Sequence, residues 1–422
     1  MAEDIRHVTT LNQSDIEQLI SDRRSFHRHP ELAYDEQLTA RAVADRLAQY
    51  GYEVRTGVGR TGVVGLLGDV KSAPGADPSP PAAGQGARAA TPEADRRAGR
   101  TLLYRADMDA LPVHEENDVE YRSRRDGVMH ACGHDAHVAV ALAVARQMAS
   151  AREELSGHLK FAFQPAEEGG NGAVAMIDEG VLEDPPVTGA VGLHVWNNFP
   201  VGTVGIYTGP MMAAVDEFDL CIQGRGGHGA MPQQTVDAIV TAAQVVTALQ
   251  TVVSRNISPL DSAVVTVGKF TAGTTFNVIA DTATLRGTVR TFNKDTHSRI
   301  PQMFERVVRG VCEAMDATYK LDYKRQTPPL VNTEQMCELV ADCAAEVVGR
   351  DNCIRDETVR TMGGEDMSYF LERVPGCYFF LGTRNESRGL IHPHHSPRFD
   401  IDESALAIGV EIMTRIIRRY LA

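Results

Sequence analysis

Four possible metal ligands lie within eight positions in the segment MHACGHDAH, residues 129–137. His130, Cys132, His134 and His137 offer imidazole nitrogens and a thiolate, which are donors that zinc and related ions prefer. A lone Cys-x-His pair is more typical of a packed loop with a buried thiol. Packing does not explain four donors this close together just before an apolar helix, so the segment predicts a metal site.

Two adjacent carboxylates, Glu167 and Glu168, follow the apolar sequence LKFAFQ and Pro165. Adjacent side chains on an extended backbone point in different directions. One carboxylate could therefore bind a metal ion while the other acts as a general base on a water. A Glu-Glu pair on its own is most often a solvated acidic turn.

Further candidates follow other predicted strands. His194 ends the apolar run GLHVW beside the only tryptophan, and His395 lies in HPHHSP near the C-terminus. A lone histidine in such a place is more often a core residue than a ligand. Asp107 and Asp109, in RADMDALP, could be carboxylates of a turn or could orient a ligand histidine without binding the metal themselves.

In this order, RADMDALP, MHACGHDAH, QPAEEGG, GLHVW, GHGAMP and HHSPRFD resemble the motifs of the M20 metallopeptidase/amidohydrolase family. The resemblance is to its aminoacylase-like subfamily, with N-acyl-amino-acid amidohydrolases, hippurate hydrolases and auxin-conjugate hydrolases. It extends from about residue 27 to the C-terminus, apart from a segment rich in proline and alanine. Many family members have His-x-Asp where this chain has Asp107-Met108-Asp109, so the role of Asp107 is open.

The resemblance implies two divalent metal ions per subunit. Their ligands would be Cys132, His134, Glu168, His194 and His395. Glu167 matches the general base of the family, and Asp109 matches the acidic residue that supports the metal site. His228 matches a lid histidine that reaches the active site of the partner subunit, and Asn277 matches a lid asparagine near the substrate. A homodimer or higher homo-oligomer is therefore expected.

The implied reaction cleaves the amide bond of an N-acyl-amino acid to a carboxylic acid and a free amino acid. A metal-bridging water would be activated by Glu167, and His228 would help to stabilise the oxyanion. The Cys132 thiolate suits zinc and the carboxylates suit manganese. The resemblance implies that either can be bound and that cobalt can substitute. The alternative is a dipeptidase or N-carbamoyl-amino-acid hydrolase with the same centre. A third possibility is a non-catalytic metal-binding protein. Such a protein would lack the base, whereas this chain has Glu167.

The elements that must position these residues alternate along the chain. Strands are predicted at residues 61–68, 101–105, 158–163 and 189–194, and helices at 14–49, with a break at 29–31, and at 138–150. This alternation predicts an α/β catalytic domain with a mostly parallel sheet flanked by helices. Residues that follow its strands would lie at the carboxyl edge of the sheet, where ligands bind.

A second domain is predicted at residues 213–326, where strand, helix, strand, strand, helix and strand follow in order. This order is that of a ferredoxin-like α+β unit, and by the resemblance it would serve as a lid and dimerisation domain. The catalytic domain would comprise residues 1–212 and 327–422. Within it, residues 71–100 contain five prolines and predict a flexible insertion.

Composition excludes several classes of protein. The 42 basic and 56 acidic side chains give a net charge of -14, so we expect a small-molecule substrate and no nucleic-acid partner. No secretory signal is apparent, and the apolar run at residues 138–145 is shorter than the roughly 20 residues of a membrane helix. Seven scattered cysteines without CxxC spacing favour a soluble protein of the reducing cytoplasm.

Overall fold

Two units, each with its own β-sheet, make up the chain in a computed structural model that describes residues 9–68 and 99–422. The first unit contains the described part of Met1–Gly209 together with Asn332–Val359 and Tyr369–Ala422, and the second contains Pro210–Val331 and Arg360–Ser368. The insertion predicted at residues 71–100 lies outside the described residues except for its last two.

The helices are α1 (Gln13–Arg28), α2 (Gln37–Gln49), α3 (His134–Ser150), α4 (Gly172–Asp178), α5 (Ala238–Thr251), α6 (Lys294–Ala314), α7 (Glu334–Val348), α8 (Ser368–Leu371) and α9 (Ser404–Leu421). The strands are β1 (Glu53–Val58), β2 (Gly62–Leu67), β3 (Thr101–Asp107), β4 (His158–Gln164), β5 (Gly189–Pro200), β6 (Val204–Gly205), β7 (Gly209–Met212), β8 (Ala214–Gln223), β9 (Gly227–His228), β10 (Ala263–Ala272), β11 (Val278–Ile279), β12 (Thr282–Thr291), β13 (Thr318–Thr327), β14 (Leu330–Asn332), β15 (Cys353–Ile354) and β16 (Gly376–Arg384).

The sheet of the first unit has eight strands in the order β1-β2-β4-β3-β5-β16-β6-β15. Its centre is parallel, because β4, β3, β5 and β16 run in the same direction. β1 and β2 form an antiparallel hairpin, and β2 also pairs antiparallel with β4. Residues 59–61 alone join β1 to β2, and so short a connection permits only antiparallel pairing. The sheet is therefore mixed and flanked by helices, and the expected parallel arrangement describes only its centre.

The parallel strands bring candidate residues to one edge of this sheet. Asp107, the last residue of β3, pairs with Gln164, the last residue of β4. Arg105 on β3 pairs with Gly192 on β5, so His194 lies level with Asp107. The segments that follow β3 and β4 therefore leave the sheet near His194, at its carboxyl edge.

Helix α3 is apolar on nearly all sides and is buried along most of its length. Its sequence is rich in alanine and valine, so it can pack on several faces at once. Buried residues of α1, α2, α7 and α9 belong to the same hydrophobic cluster. Its buried polar side chains, His134, Asp135 and His137, all lie in the first turn. The packing of α3 therefore fixes the position of these three side chains.

The sheet of the second unit has four antiparallel strands in the order β10-β12-β8-β13. Helix α5 lies between β8 and β10 along the chain, and α6 lies between β12 and β13. Phe218, Leu220 and Ile222, alternate residues of β8, are buried, as expected for a strand with one covered face. They share a core with the buried residues of α5 and α6.

One helical segment of the described residues, Ala238–Asn256, is long and apolar enough to cross a membrane by length and composition alone. It consists of α5 and the turn that follows it. Ala242, Val245 and Leu249 of this segment are buried in the core of the second unit. The core helix of a folded domain passes the same test, so the segment is weak evidence for a membrane span.

Candidate metal centre

All five predicted ligands and Glu167 lie together in the first unit. Possible ligand atoms lie within 4.8 Å of one another in three overlapping sets: Cys132, His134 and His194; Cys132, Glu168 and His395; and His134, Glu167 and Glu168. Because the sets share Cys132, His134 and Glu168, they form one continuous cluster of donors. Its residues lie at the start of α3 and in the segment before it, in the segment after β4, on strand β5 and in the segment before α9.

Gly133 separates the candidate ligands Cys132 and His134 and permits the turn between them. Its φ of +91° lies in the left-handed region that glycine tolerates. A Cβ atom at this position would lie 2.3 Å from Cγ2 of Val195, much closer than van der Waals contact. Only glycine therefore suits this turn, which brings Cys132 Sγ to 3.5 Å from His194 Nε2.

The His194 ring is in the form that a metal ligand requires. Its Nδ1 lies 2.6 Å from the carbonyl oxygen of Val195, so Nδ1 carries the hydrogen and donates it. The lone pair is then on Nε2, which faces Cys132. Burial, together with the nearby His137 and His394, holds the pKa of His194 well below its usual value. The imidazole is therefore neutral and free to coordinate.

Asp107, whose role the sequence left open, orients His137. The backbone N–H of Val195 donates to His137 Nε2 at 2.9 Å, so His137 Nδ1 carries the proton and donates it to Asp107 Oδ1 at 2.5 Å. Arg105 donates to the other carboxylate oxygen at 2.6 Å. Burial acts to raise the pKa of Asp107, but His134, Arg105 and His137 outweigh it and hold that pKa well below its usual range. Both ring nitrogens of His137 thus have protein partners. The possible ligand atoms of His137, Asp107 and His134 nevertheless lie within 4.8 Å of one another.

The His134 ring is 1% exposed, and among the described residues neither of its nitrogens forms a hydrogen bond. The nearest carboxylate oxygens are Asp109 Oδ1, 3.3 Å from Nδ1, and Asp107 Oδ2, 3.8 Å from Nε2. Burial lowers the pKa of His134, but these two carboxylates outweigh it and raise that pKa to about 10. Asp109 Oδ1 is likewise buried without a hydrogen bond among the described residues. Such atoms are costly unless something pairs with them.

The charges of the cluster also fit a bound cation. Burial raises the pKa of the Cys132 thiol well above its usual range, and the negative charges of Glu168 and Glu167 raise it further. A thiolate at this position therefore needs positive charge close by. A divalent cation supplies that charge and deprotonates a coordinating thiol. The mixture of thiolate, imidazole and carboxylate donors is one that zinc accepts, and the carboxylates suit manganese.

Glu168 and His395 are more exposed than the other candidate ligands. The backbone N–H of Glu168 donates to Asp109 Oδ2 at 2.9 Å, which ties the segment after β4 to the segment after β3. Glu168 Oε1 lies 3.2 Å from Nε2 of His395, and this contact raises the pKa of His395. The His395 side chain is 54% exposed, whereas those of His134 and His194 are buried. The cluster thus has a buried side and a side that faces solvent.

His228 and Asn277 lie in the second unit, where neighbouring short strands bring them together. His228 on β9 pairs with Val278 on β11, and Gly229 donates its N–H to the carbonyl oxygen of Asn277 at 2.9 Å. The His228 side chain is exposed, and its Nδ1 accepts the N–H of Ala230 at 3.0 Å.

Gly133 and Arg105 were not predicted to have a role, although the sequence around each of them indicates one. A glycine between two candidate ligands indicates a backbone conformation that other residues cannot adopt. Arg105 places a charge in the buried strand TLLYR, and a buried charge requires a partner. That partner is Asp107, and Gln164 Oε1 accepts a second hydrogen bond from Arg105 at 2.8 Å.

The chain resembles known proteins in both sequence and structure. The family described as Peptidase family M20/M25/M40 matches residues 103–419. N-acetyl-L-cysteine deacetylase of Bacillus subtilis is 38% identical over 412 residues, which cover 97% of this chain and 90% of that protein. Thermostable carboxypeptidase 2 of Saccharolobus solfataricus is 36% identical over 399 residues, or 93% and 92% of the two chains. A solved structure from Bacillus subtilis, described as a dinuclear metal-binding peptidase of the M20 family, matches with a TM-score of 0.80 and 30% identity over 97% and 99%.

Proposed function

Because the chain belongs to the peptidase family M20/M25/M40 and is a hydrolase that acts on amides, we propose that it cleaves N-acyl-amino acids to a carboxylic acid and a free amino acid. The observation that carries this proposal is the cluster around Cys132, His134 and Glu168, in which buried ligand atoms lack hydrogen bonds and a second carboxylate, Glu167, is at hand. A relative named for the deacetylation of an N-acetyl-amino acid supports a small acyl group.

Two divalent ions would be held by Cys132, His134, Glu168, His194 and His395. When bound, such ions polarise a carbonyl group and lower the pKa of water towards neutrality. The donor set supports zinc or manganese, with cobalt able to substitute. The hydrogen bonds of His194 Nδ1 and of the Glu168 N–H keep two of these ligands in place.

Glu167 is the proposed general base. Its carboxylate takes a proton from the water whose oxygen forms a bond to the amide carbon. The carbon–nitrogen bond then breaks, and the same proton passes from Glu167 to the departing nitrogen, which leaves as the amine of the amino acid. Asp109 would act by fixing the segment that carries the base, through its hydrogen bond from the Glu168 N–H.

His228 and Asn277 are the proposed substrate contacts of a lid domain, residues 213–326, and residues 1–212 and 327–422 form the proposed catalytic domain. In a homodimer the partner subunit's His228 would donate to the developing oxyanion, a role worth about 3 kcal/mol for a well-placed donor. Exposure of His228 and pairing of its strand with that of Asn277 support this role.

Oligomerisation through the second unit is the corresponding proposal for assembly. Ile239 and Val240 on α5 are 41% and 45% exposed, and Val264 and Phe270 on the edge strand β10 are 39% and 43% exposed. The unpaired backbone groups of an exposed apolar edge strand can pair with another chain. A cytoplasmic location is proposed as well, since all seven cysteines are free thiols.

The experiment that tests this function measures amino-acid release from N-acetyl-, benzoyl- and indoleacetyl-amino acids, dipeptides and N-carbamoyl-amino acids. Metal-stripped protein receives zinc, manganese or cobalt, and Glu167→Ala is compared with Glu153→Ala, an exposed control. Cleavage of acyl-amino acids that needs both metal and Glu167 is expected. Turnover of dipeptides or carbamoyl compounds alone would favour the alternative activity, to which a carboxypeptidase among the relatives lends weight. Full activity of Glu167→Ala would overturn the proposed mechanism.

A further inference from the structure

Tyr34 and Glu36, just before α2, form hydrogen bonds with the segment that carries Glu167 and Glu168. The carboxylate of Glu36 is buried, with the residue 0% exposed, and its Oε1 accepts the backbone N–H of Ala166 at 2.9 Å. The Tyr34 hydroxyl donates to the carbonyl oxygen of Gly170 at 2.6 Å. These two contacts lie on either side of the carboxylate pair in the sequence.

The residues that make these contacts are themselves held in place. Glu36 Oε2 accepts a hydrogen bond from the Thr61 hydroxyl at 2.5 Å, which fixes the second oxygen of the carboxylate. The guanidinium of Arg60 lies 4.1 Å from the centre of the Tyr34 ring. Both contacts come from the turn between β1 and β2, so Glu36 and Tyr34 are supported by the sheet.

The segment that Glu36 and Tyr34 contact has an unfavourable backbone conformation, which needs support from the residues around it. Ala166 has a φ of +53°, which is unfavourable for a residue with a Cβ atom. The chain then folds back on itself: a Cβ on Gly170 would lie 2.5 Å from Cβ of Ala166, and one on Gly172 would lie 1.6 Å from the carbonyl oxygen of Pro165. The Ala166 N–H is buried, and leaving it without an acceptor would be costly.

We propose that Glu36 and Tyr34 are positioning residues for Glu167, the proposed general base, and act through the backbone of its segment. Three alternate residues are held in this way: Ala166 by Glu36, Glu168 by Asp109 and Gly170 by Tyr34. Glu167 lies within this span, so the backbone that carries its carboxylate is fixed on both sides. A base acts well only within hydrogen-bond reach of its proton. The inference rests on the proposed function, because it assigns the base to Glu167.

The test compares Glu36→Ala, Glu36→Gln and Glu31→Ala. Glu36→Ala removes the acceptor for Ala166 and should lower kcat by about tenfold to a hundredfold, with KM nearly unchanged. Glu36→Gln should restore most of kcat, because its amide oxygen can accept the same N–H while its amide nitrogen donates to the Thr61 oxygen. Glu31 is the matched control, since it is 7% exposed and its carboxylate accepts hydrogen bonds from Leu38 and Thr39 at the start of α2. Glu31→Ala should lower the Tm and leave kcat unchanged.

A second readout does not depend on turnover. Glu168 lies in the same segment, so metal-free Glu36→Ala should bind added zinc or manganese more weakly than metal-free wild type or Glu36→Gln. Where Glu36→Ala does not fold, Tyr34→Phe removes only the hydroxyl that reaches Gly170 and should still lower kcat without a change in KM.

The outcomes separate this inference from the proposed function. Activity in Glu167→Ala would remove the base and with it the positioning role. An inactive Glu167→Ala, combined with wild-type kcat and metal affinity in Glu36→Ala, or in Tyr34→Phe where Glu36→Ala is unfolded, would overturn the positioning role alone. Equal losses of kcat in Glu36→Gln and Glu36→Ala would do the same, because the lost acceptor would then not be the cause.

Discussion

The Nε2 atom of His137 lies 2.9 Å from the backbone nitrogen of Val195 and accepts its hydrogen. Val195 directly follows His194 on β5, so this bond fixes the strand beside a candidate ligand. The other side of the ring donates to Asp107, which Arg105 holds in turn. Helix α3 and strands β3 and β5 are thereby linked by one chain of buried hydrogen bonds.

Replacement of His137 by alanine should weaken metal binding although His137 is not a predicted ligand. The change leaves the Val195 N–H and one Asp107 oxygen without their partner, and loss of such supporting hydrogen bonds typically costs about 10–100-fold in metal affinity. Titration of the metal-free protein with zinc measures the effect. His114→Ala, an exposed histidine paired with Asp126, is the control. Wild-type affinity in His137→Ala would contradict this role.

Gly133→Ala should be more harmful than an alanine at another glycine with positive φ. Gly127 has a φ of +72° and a Cβ atom there would meet nothing within 4 Å, whereas a Cβ atom at Gly133 would lie 2.3 Å from Val195. We expect Gly127→Ala to lower the free energy of unfolding by about 1 kcal/mol and Gly133→Ala by about 3 kcal/mol or more, since strain and overpacking add. Urea denaturation of both variants decides this, and equal losses would show that the close approach to Val195 is unimportant.

Cys132→Ser should lower metal content and activity together. Serine keeps the shape but replaces a soft thiolate by a hydroxyl that zinc binds poorly. Metal per subunit is measured by elemental analysis after dialysis, with Cys221→Ser on β8 as the control. Wild-type metal content in Cys132→Ser would remove Cys132 from the ligand set.

Acid should destabilise the fold in part through Asp400. Burial acts to raise the pKa of Asp400, but Arg23 at 2.8 Å and the Tyr121 hydroxyl at 2.7 Å outweigh it and hold that pKa below its usual value. Because an unfolded aspartate has a pKa of about 3.9, the stabilisation is complete above that pH and is lost as the pH falls through the lower folded value.

Asp400→Asn should therefore be less stable than the wild type at pH 7 and lose less stability as the pH falls below about 4. Urea midpoints measured across this range test the difference. Asp126→Asn, which alters an exposed carboxylate, should follow the wild-type curve. Parallel curves for Asp400→Asn and wild type would contradict the assignment.

Local sequence patterns predicted much of the fold and brought most of the candidate site residues to notice. The helix predicted at residues 138–150 lies within α3, and the metal-site hypothesis came from donors close together in the sequence. The antiparallel edge was missed because no strand was predicted at β1, and because the sequence does not show that β2 lies beside β4 in the sheet. The role of Asp107 was beyond the sequence as well, since it depends on the register of β3 against β5. The roles of the predicted ligands, the base and the lid residues stay predictions.

Unequal exposure of the candidate ligands has a kinetic consequence. His395 faces solvent and Glu168 is partly exposed, whereas His134 and His194 lie among buried side chains. A chelator arriving from solvent reaches the outer donors first, and the inner ones become accessible only after local rearrangement. Two ions held by such a set would exchange at different rates, so an enzyme with a mixed pair of metals could arise simply from the order of loading.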